Sequence, residues 1–190
     1  MKTLEVFKRE KQEFLSKPDK SRKKSIDEKI KKLLELLNEK DQYYTTSSCS
    51  GRIMIYKPGR KKQETEWIYV SHEEIKPEEI IDKQGEGVWF KTEGPIIHIC
   101  CYTLEDATRI IDMFRLNGWK KTGIISLKPK IIVEAATSLL INQPFNDLSK
   151  EYIEILVREA NQKLRKGWIF IENMEKELSK KKDQSSKRDL

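Results

Sequence analysis

Asp41-Gln42-Tyr43-Tyr44-Thr45-Thr46-Ser47-Ser48-Cys49-Ser50-Gly51-Arg52-Ile53 places hydroxyls, a thiol, a glycine and a fixed cation in consecutive positions, which no ordinary core strand requires. The stretch follows a segment of helical periodicity and runs into the apolar Ile53-Met54-Ile55-Tyr56. It therefore reads as a strand or loop that carries a site and is anchored by a buried strand. Gly51 marks a bend, and Arg52 offers a bidentate contact to an anion. The competing reading of the hydroxyl run is an edge strand with a polar face.

Upstream, Leu4, Phe7, Phe14 and Leu15 recur at helical spacing among Lys and Glu, so an amphipathic helix is expected over residues 4–15, broken near Pro18. The turn at residues 18–24 is rich in Lys and Arg, and its Arg22 and Lys23 are candidates for contact with a phosphate. Ser25 with Glu28 three residues later predicts a capping box for a second helix ending near Asn38, with Ile26, Ile30, Leu33, Leu34 and Leu37 as its buried face.

Downstream, Lys57-Pro58-Gly59-Arg60-Lys61-Lys62 reads as a hairpin tip dense in cations. Trp67 to His72, Val88 to Lys91 and Ile96 to Tyr102 read as strands, the last two at the centre of the sheet and split by the turn Thr92-Glu93-Gly94-Pro95. Residues 104–116 predict a helix stopped at Asn117-Gly118. Thr122 to Leu127 and Ile131 to Ala136 predict a hairpin, and a long helix follows from Asp147 toward Leu178, with a kink or break at Gly167. Helices and strands do not alternate as a doubly wound parallel sheet demands. The expected fold is α+β, with a largely antiparallel or mixed sheet that could curl toward a barrel, flanked by amino-terminal, central and long carboxy-terminal helices. A Rossmann-type doubly wound sheet is not expected. Residues 1–180 are expected to form one domain and residues 181–190 a disordered basic tail.

At 190 residues the chain is long enough to bury one sizeable core. Its net charge of +7 favours a polyanionic partner, because clustered Lys and Arg gain affinity by displacing counterions from phosphates. Charged residues make up 36% of the chain, with Lys and Glu conspicuous, a balance associated with proteins that work at high temperature. Cys49, Cys100 and Cys101 are odd in number and lack zinc-type spacing, so neither a disulfide framework nor a metal is expected. No apolar run approaches the roughly 20 residues of a membrane span, and a soluble, cytoplasmic protein is expected.

Neither Gly-x-Gly-x-x-Gly nor a phosphate-binding Gly-x-x-x-x-Gly-Lys-Ser/Thr occurs, so any nucleotide-like cofactor must be held in another way. Cys49 with His72 or His98 would make a cysteine nucleophile, although a cysteine between serines is more often small and buried. His72, at a strand end beside Ser71 and Glu73, is the better candidate proton acceptor; His98, inside an apolar strand, is by default a core histidine. Trp119, between Gly118 and Lys120-Lys121, is the tryptophan best placed by sequence to stack on a base at the surface, and the adjoining cations suit RNA.

These residues resemble the wybutosine-synthesis methyltransferase family, the third enzyme of that tRNA pathway, in an archaeal form. The resemblance rests on Asp41-Gln42 with Thr45 to Ile53, Ser21-Arg22-Lys23 with Ser25-Ile26-Asp27, Trp67 leading to Val70-Ser71-His72, and Lys91-x-Glu93 leading to His98. Gly118 leading to Thr122-Gly123-Ile124, and Glu151-Tyr152-Ile153 with Ala160-Asn161-Gln162-Lys163, extend it over nearly the whole chain. It implies S-adenosylmethionine-dependent methylation of a ring nitrogen in the tricyclic base precursor next to the anticodon of phenylalanine tRNA. It further implies a cofactor site of Ser47, Ser48, Cys49, Gly51, Arg52 and His98, with His72 or Glu93 accepting a proton. Arg22, Lys23, Lys91, Trp119, Lys120 and Lys121 would meet the RNA. Tyr102, Lys120 and the Gly94-Pro95 turn depart from the family's usual residues. A non-catalytic RNA-binding module and a cysteine-dependent hydrolase are the competing readings.

Overall fold

The structure is a computed structural model and describes residues 3–17 and 25–186. Its elements run α1 (Leu4–Leu15), α2 (Glu28–Asn38), β1 (Tyr43–Cys49), β2 (Arg52–Lys57), β3 (Glu66–Ser71), β4 (Trp89–Glu93), β5 (Ile96–Cys101), α3 (Leu104–Leu116), β6 (Gly123–Ser126), β7 (Ile131–Ala136), β8 (Leu140–Pro144) and α4 (Lys150–Ser186). The basic turn with Arg22 and Lys23 lies outside the described residues, as do residues 187–190 of the expected tail. Among the described residues no helix is long and apolar enough to cross a membrane.

Among the described residues all strand pairs are antiparallel, and they form two open four-stranded sheets, β1-β5-β7-β6 and β3-β2-β4-β8, with no closed barrel. The curled sheet expected as one form of the fold is thus replaced by two sheets. The reason lies in two short breaks: Ser50-Gly51 separates β1 from β2, and Gly94-Pro95 separates β4 from β5, so each consecutive pair is divided between sheets. β4 and β5 are both inner strands, but of different sheets. The chain accordingly divides into two compact units.

The first unit contains residues 1–50, 95–138 and 168–190. Period-two alternation along β5 sends Ile97, Ile99 and Cys101 into one core with Leu33, Leu37, Ile110, Phe114, Val133, Ile171 and Met174. Cys100 points the other way, to Phe7 and Tyr44. The two neighbouring cysteines therefore fill separate clusters, as core packing predicts. Each fully buried aliphatic side chain here contributes about 1.5–3 kcal/mol. On α1, Phe7 meets Tyr44 and Tyr102 with ring centroids 5.3 and 5.5 Å apart.

α2 begins at Glu28 with Asp27 as its N-cap, so the capping box expected from Ser25 and Glu28 does not form. Asp27 has the extended backbone of a cap, yet its carboxylate takes up Ser50 instead: the Ser50 N–H and hydroxyl donate to Asp27 Oδ2 at 3.0 and 3.1 Å. The capping box is found on α3, where Thr103 accepts from the Asp106 N–H and the Asp106 carboxylate accepts from the Thr103 N–H. α3 ends at Asn117-Gly118 as the sequence predicts. Gly118 has φ +93°, and a Cβ there would stand 2.8 Å from the Phe170 ring.

The second unit contains residues 51–94 and 139–167. Ile53, Ile55 and Phe90 are fully buried on one face of its sheet, and Phe145, Ala160 and Leu164 are buried in the same unit. The Phe90 and Phe145 rings lie 5.8 Å apart. β8 escaped the sequence reading because Leu-Ile-Asn-Gln-Pro is short and ends in proline; it is an edge strand, where proline is tolerated. α4 runs unbroken through Gly167, with residues up to 167 in the second unit and the remainder in the first. A glycine costs roughly 1 kcal/mol in a helix relative to alanine, which helix formers and buried residues on both sides outweigh.

Candidate functional site

The residues singled out by sequence fall in both units. In the second unit the structure joins five of them. Arg52 opens β2 directly opposite Glu93, the last residue of β4, and Lys91 lies on the same face of β4 two residues earlier. Arg52 Nε donates to Glu93 Oε2 at 2.9 Å and Arg52 Nη2 reaches the same oxygen at 2.8 Å, while Lys91 Nζ is 2.5 Å from Oε1. One carboxylate is thus clasped by two cations, all three side chains being about one-third exposed or less. Burial alone would raise the Glu93 carboxyl, but Lys91 and Arg52 more than offset it and hold the group below the ordinary carboxylate range. The guanidinium of Arg52 also lies 5.5 Å from the centre of the Trp67 ring.

Gly51, immediately before Arg52, has φ +104°, a left-handed conformation that favours glycine. A Cβ there would approach the Glu93 carbonyl and Leu164 Cδ2 to 3.2 Å each. Its own carbonyl is 3.1 Å from His72 Nδ1. A carbonyl can only accept, so Nδ1 carries the proton in this contact.

In the first unit, β1 holds Ser47 exposed and Ser48 and Cys49 half-buried. Across the sheet Ser47 pairs with His98, and His98 with Glu134 on β7. His98 Nε2 is 3.0 Å from Glu134 Oε2, and both side chains are about one-third exposed. His98 is therefore not an apolar core histidine; the strand alternation that buries Ile97 and Ile99 turns it to the opposite face. Glu134 was missed by the sequence reading, although a lone carboxylate in the apolar run Ile131-Ile132-Val133-Glu134-Ala135 is the signal that could have found it. Asp27, the anchor of Ser50, was read only as part of a larger motif.

Trp119 is a correction. It is fully buried, its ring edge-on to Phe114 at 5.0 Å and its indole N–H directed to the Phe170 carbonyl at 3.4 Å. The fixed turn at Gly118 folds the side chain into the core, so it offers no surface to a base. Lys120 and Lys121 are exposed beside it. None of the three cysteines is in a disulfide.

The family described as Methyltransferase TYW3 matches residues 8–180. A Xenopus laevis protein named "tRNA wybutosine-synthesizing protein 3 homolog" is 33% identical over 181 residues, covering 88% of this chain and 72% of its own. A Thermococcus kodakarensis protein named "tRNA(Phe) 7-((3-amino-3-carboxypropyl)-4-demethylwyosine(37)-N(4))-methyltransferase 1" is 31% identical over 167 residues, with 82% and 84% covered. Among solved structures, the PH1069 protein from Pyrococcus horikoshii superposes with a TM-score of 0.81 at 31% identity, covering 94% of this chain and 98% of its own.

Proposed function

The chain belongs to the TYW3 methyltransferase family, and from that premise we propose that it is an S-adenosylmethionine-dependent tRNA methyltransferase acting on a ring nitrogen of the tricyclic wybutosine precursor beside the anticodon of phenylalanine tRNA. The observation that carries the reading is the family match over residues 8–180. The naming of the Thermococcus kodakarensis relative as a methyltransferase of tRNA(Phe) supports the substrate. The cytoplasm, where such a tRNA is found, is the expected compartment.

The donor set fits the cofactor's amino-acid end. Arg52 and Lys91 each keep N–H donors beyond those given to Glu93, enough to take a carboxylate, while Glu93 complements an ammonium. When bound, S-adenosylmethionine supplies a methyl group on a sulfonium, open to displacement by a nitrogen lone pair. The work left to the chain is to hold the reactants in line and to receive a proton where the attacking nitrogen carries one. His72 suits the second task by the chemistry of its imidazole, whose ring the Gly51 carbonyl orients. Glu93, ion-paired twice and with a lowered pKa, is a weak proton acceptor and a strong orienter of Arg52 and Lys91. Lys120 and Lys121, both exposed, are assigned to the RNA. Covalent chemistry at Cys49 is not required: Cys49→Ala should retain methyl transfer at saturating S-adenosylmethionine, any loss being confined to the KM for the cofactor.

The test is incubation with S-adenosylmethionine and phenylalanine tRNA carrying the unmethylated precursor, followed by mass analysis of the base. A gain of one methyl group is expected. No gain at cofactor saturation overturns the reading.

A further inference from the structure

The outward face of the second unit's sheet carries more aromatic surface than a solvent-facing sheet needs. Tyr56 on β2 pairs with Trp67 on β3 and with Trp89 on β4, so the three side chains share one rung across adjacent strands. All three are half-buried, and the Tyr56 and Trp67 rings lie 6.0 Å apart at 35°. On this face Met54, next to Tyr56 on β2, is buried and Lys91 is half-buried, whereas Val70, Leu140, Asn142 and Pro144 toward the sheet's edges are exposed; the buried Ile53, Ile55 and Phe90 alternate onto the other face. An antiparallel sheet with one wet face ordinarily fills such positions with polar side chains.

Two further features adjoin the rung. β2 ends one residue beyond Tyr56 and β3 begins one residue before Trp67, and the tip of the hairpin between them presents Arg60 and Lys61, both exposed. On the other side, Arg52 sits 5.5 Å from the Trp67 ring centre while bound to Glu93. Trp67 thus links the charged corner of the candidate site to the aromatic rung.

We propose that the Trp67–Tyr56–Trp89 rung is a stacking platform for unpaired RNA bases, with Arg60 and Lys61 meeting the phosphates of the same strand. Flat aromatic side chains on an open sheet accept any base face, and nearby cations supply the sequence-independent attraction. The choice of RNA as occupant rests on the reading of the chain as a tRNA methyltransferase, and it assigns that enzyme an RNA contact surface beyond the residues placed at its cofactor.

The probe is a short single-stranded RNA of mixed sequence, titrated without S-adenosylmethionine against intrinsic tryptophan fluorescence, beside the same strand annealed to its complement. Quenching by the single strand and weaker binding of the duplex are expected. Trp67→Ala should weaken single-strand binding roughly 5- to 150-fold with little change for the duplex, and Trp67→Phe should restore most of it. Should Trp67→Ala fail to fold by circular dichroism, the exposed double variant Arg60→Glu/Lys61→Glu decides: it should lower the slope of log affinity against log salt by about 0.7 for each lost contact. Wild-type binding by the folded variants, or no preference for the single strand, overturns the platform. Because these readouts need neither donor nor precursor, a failure of methyl transfer with rung-dependent binding intact would count against the enzyme reading alone.

Discussion

Arg52 and Glu93 stand opposite each other across β2 and β4, and the guanidinium spends two of its nitrogens on a single carboxylate oxygen. The other oxygen is taken by Lys91. Removing this carboxylate leaves two cations facing each other. Glu93→Gln should therefore raise the KM for S-adenosylmethionine at least tenfold, with a smaller effect on kcat, as measured by steady-state methyl transfer.

The same carboxylate has a pH signature. Its pKa in the folded protein lies below the ordinary 4.5, so its stabilisation is complete above that value and is lost as the pH falls through the folded-state pKa. Chemical denaturation below pH 4.5 should show wild type losing more stability than Glu93→Gln over that interval, the two curves converging in slope above it.

His72→Gln should reduce kcat by about 10²–10⁴-fold if the imidazole receives the substrate proton. The informative readout is the pH–rate profile. Wild-type activity should rise with pH along an acidic limb that the variant lacks, whereas a purely structural histidine would lower the whole profile without changing its shape.

Gly51→Ala places a Cβ 3.2 Å from both the Glu93 carbonyl and Leu164, on a backbone with φ +104°. A loss of about 1–3 kcal/mol is expected in urea denaturation. Asp27→Ala should cost a similar amount, because the buried Ser50 loses the acceptor for its N–H and its hydroxyl. Hydrogen exchange at the Ser50 amide should accelerate in that variant.

Trp119→Ala should cost about 3–5 kcal/mol through the cavity left beside Phe114. Its effect on RNA affinity should vanish once the variant is compared at a temperature where it is fully folded. A selective loss of RNA binding would restore Trp119 to the surface role suggested by its sequence neighbours.

Local pattern made most of the elements legible. The alternation at Trp67 to His72 and at Ile96 to Tyr102, the helical period over residues 104–116 and the Asn117-Gly118 stop all correspond to observed elements. What the pattern could not carry was partnership. Strands joined by two residues usually pair with each other, and nothing local reveals that β1 and β2, or β4 and β5, belong to different sheets. The same gap explains Asp27, whose carboxylate finds Ser50 rather than its own helix, and Glu134, whose value depends on lying across from His98. Gly51 and Arg52 were readable as a bend and an anion contact. That the anion at hand is the chain's own Glu93 was not, because the pair is separated by 41 positions.

Each of the two units is assembled from separated stretches of sequence, and the first draws core residues from the last quarter of the chain: Ile171, Met174 and Leu178 pack with Leu33 and Ile99. During synthesis this core stays open until those three residues have left the ribosome, long after the sheet they cover has been translated. The apolar faces of α2 and β5 must wait in solvent for them, so nascent chains stopped before Ile171 should be the ones that chaperones hold and proteases remove.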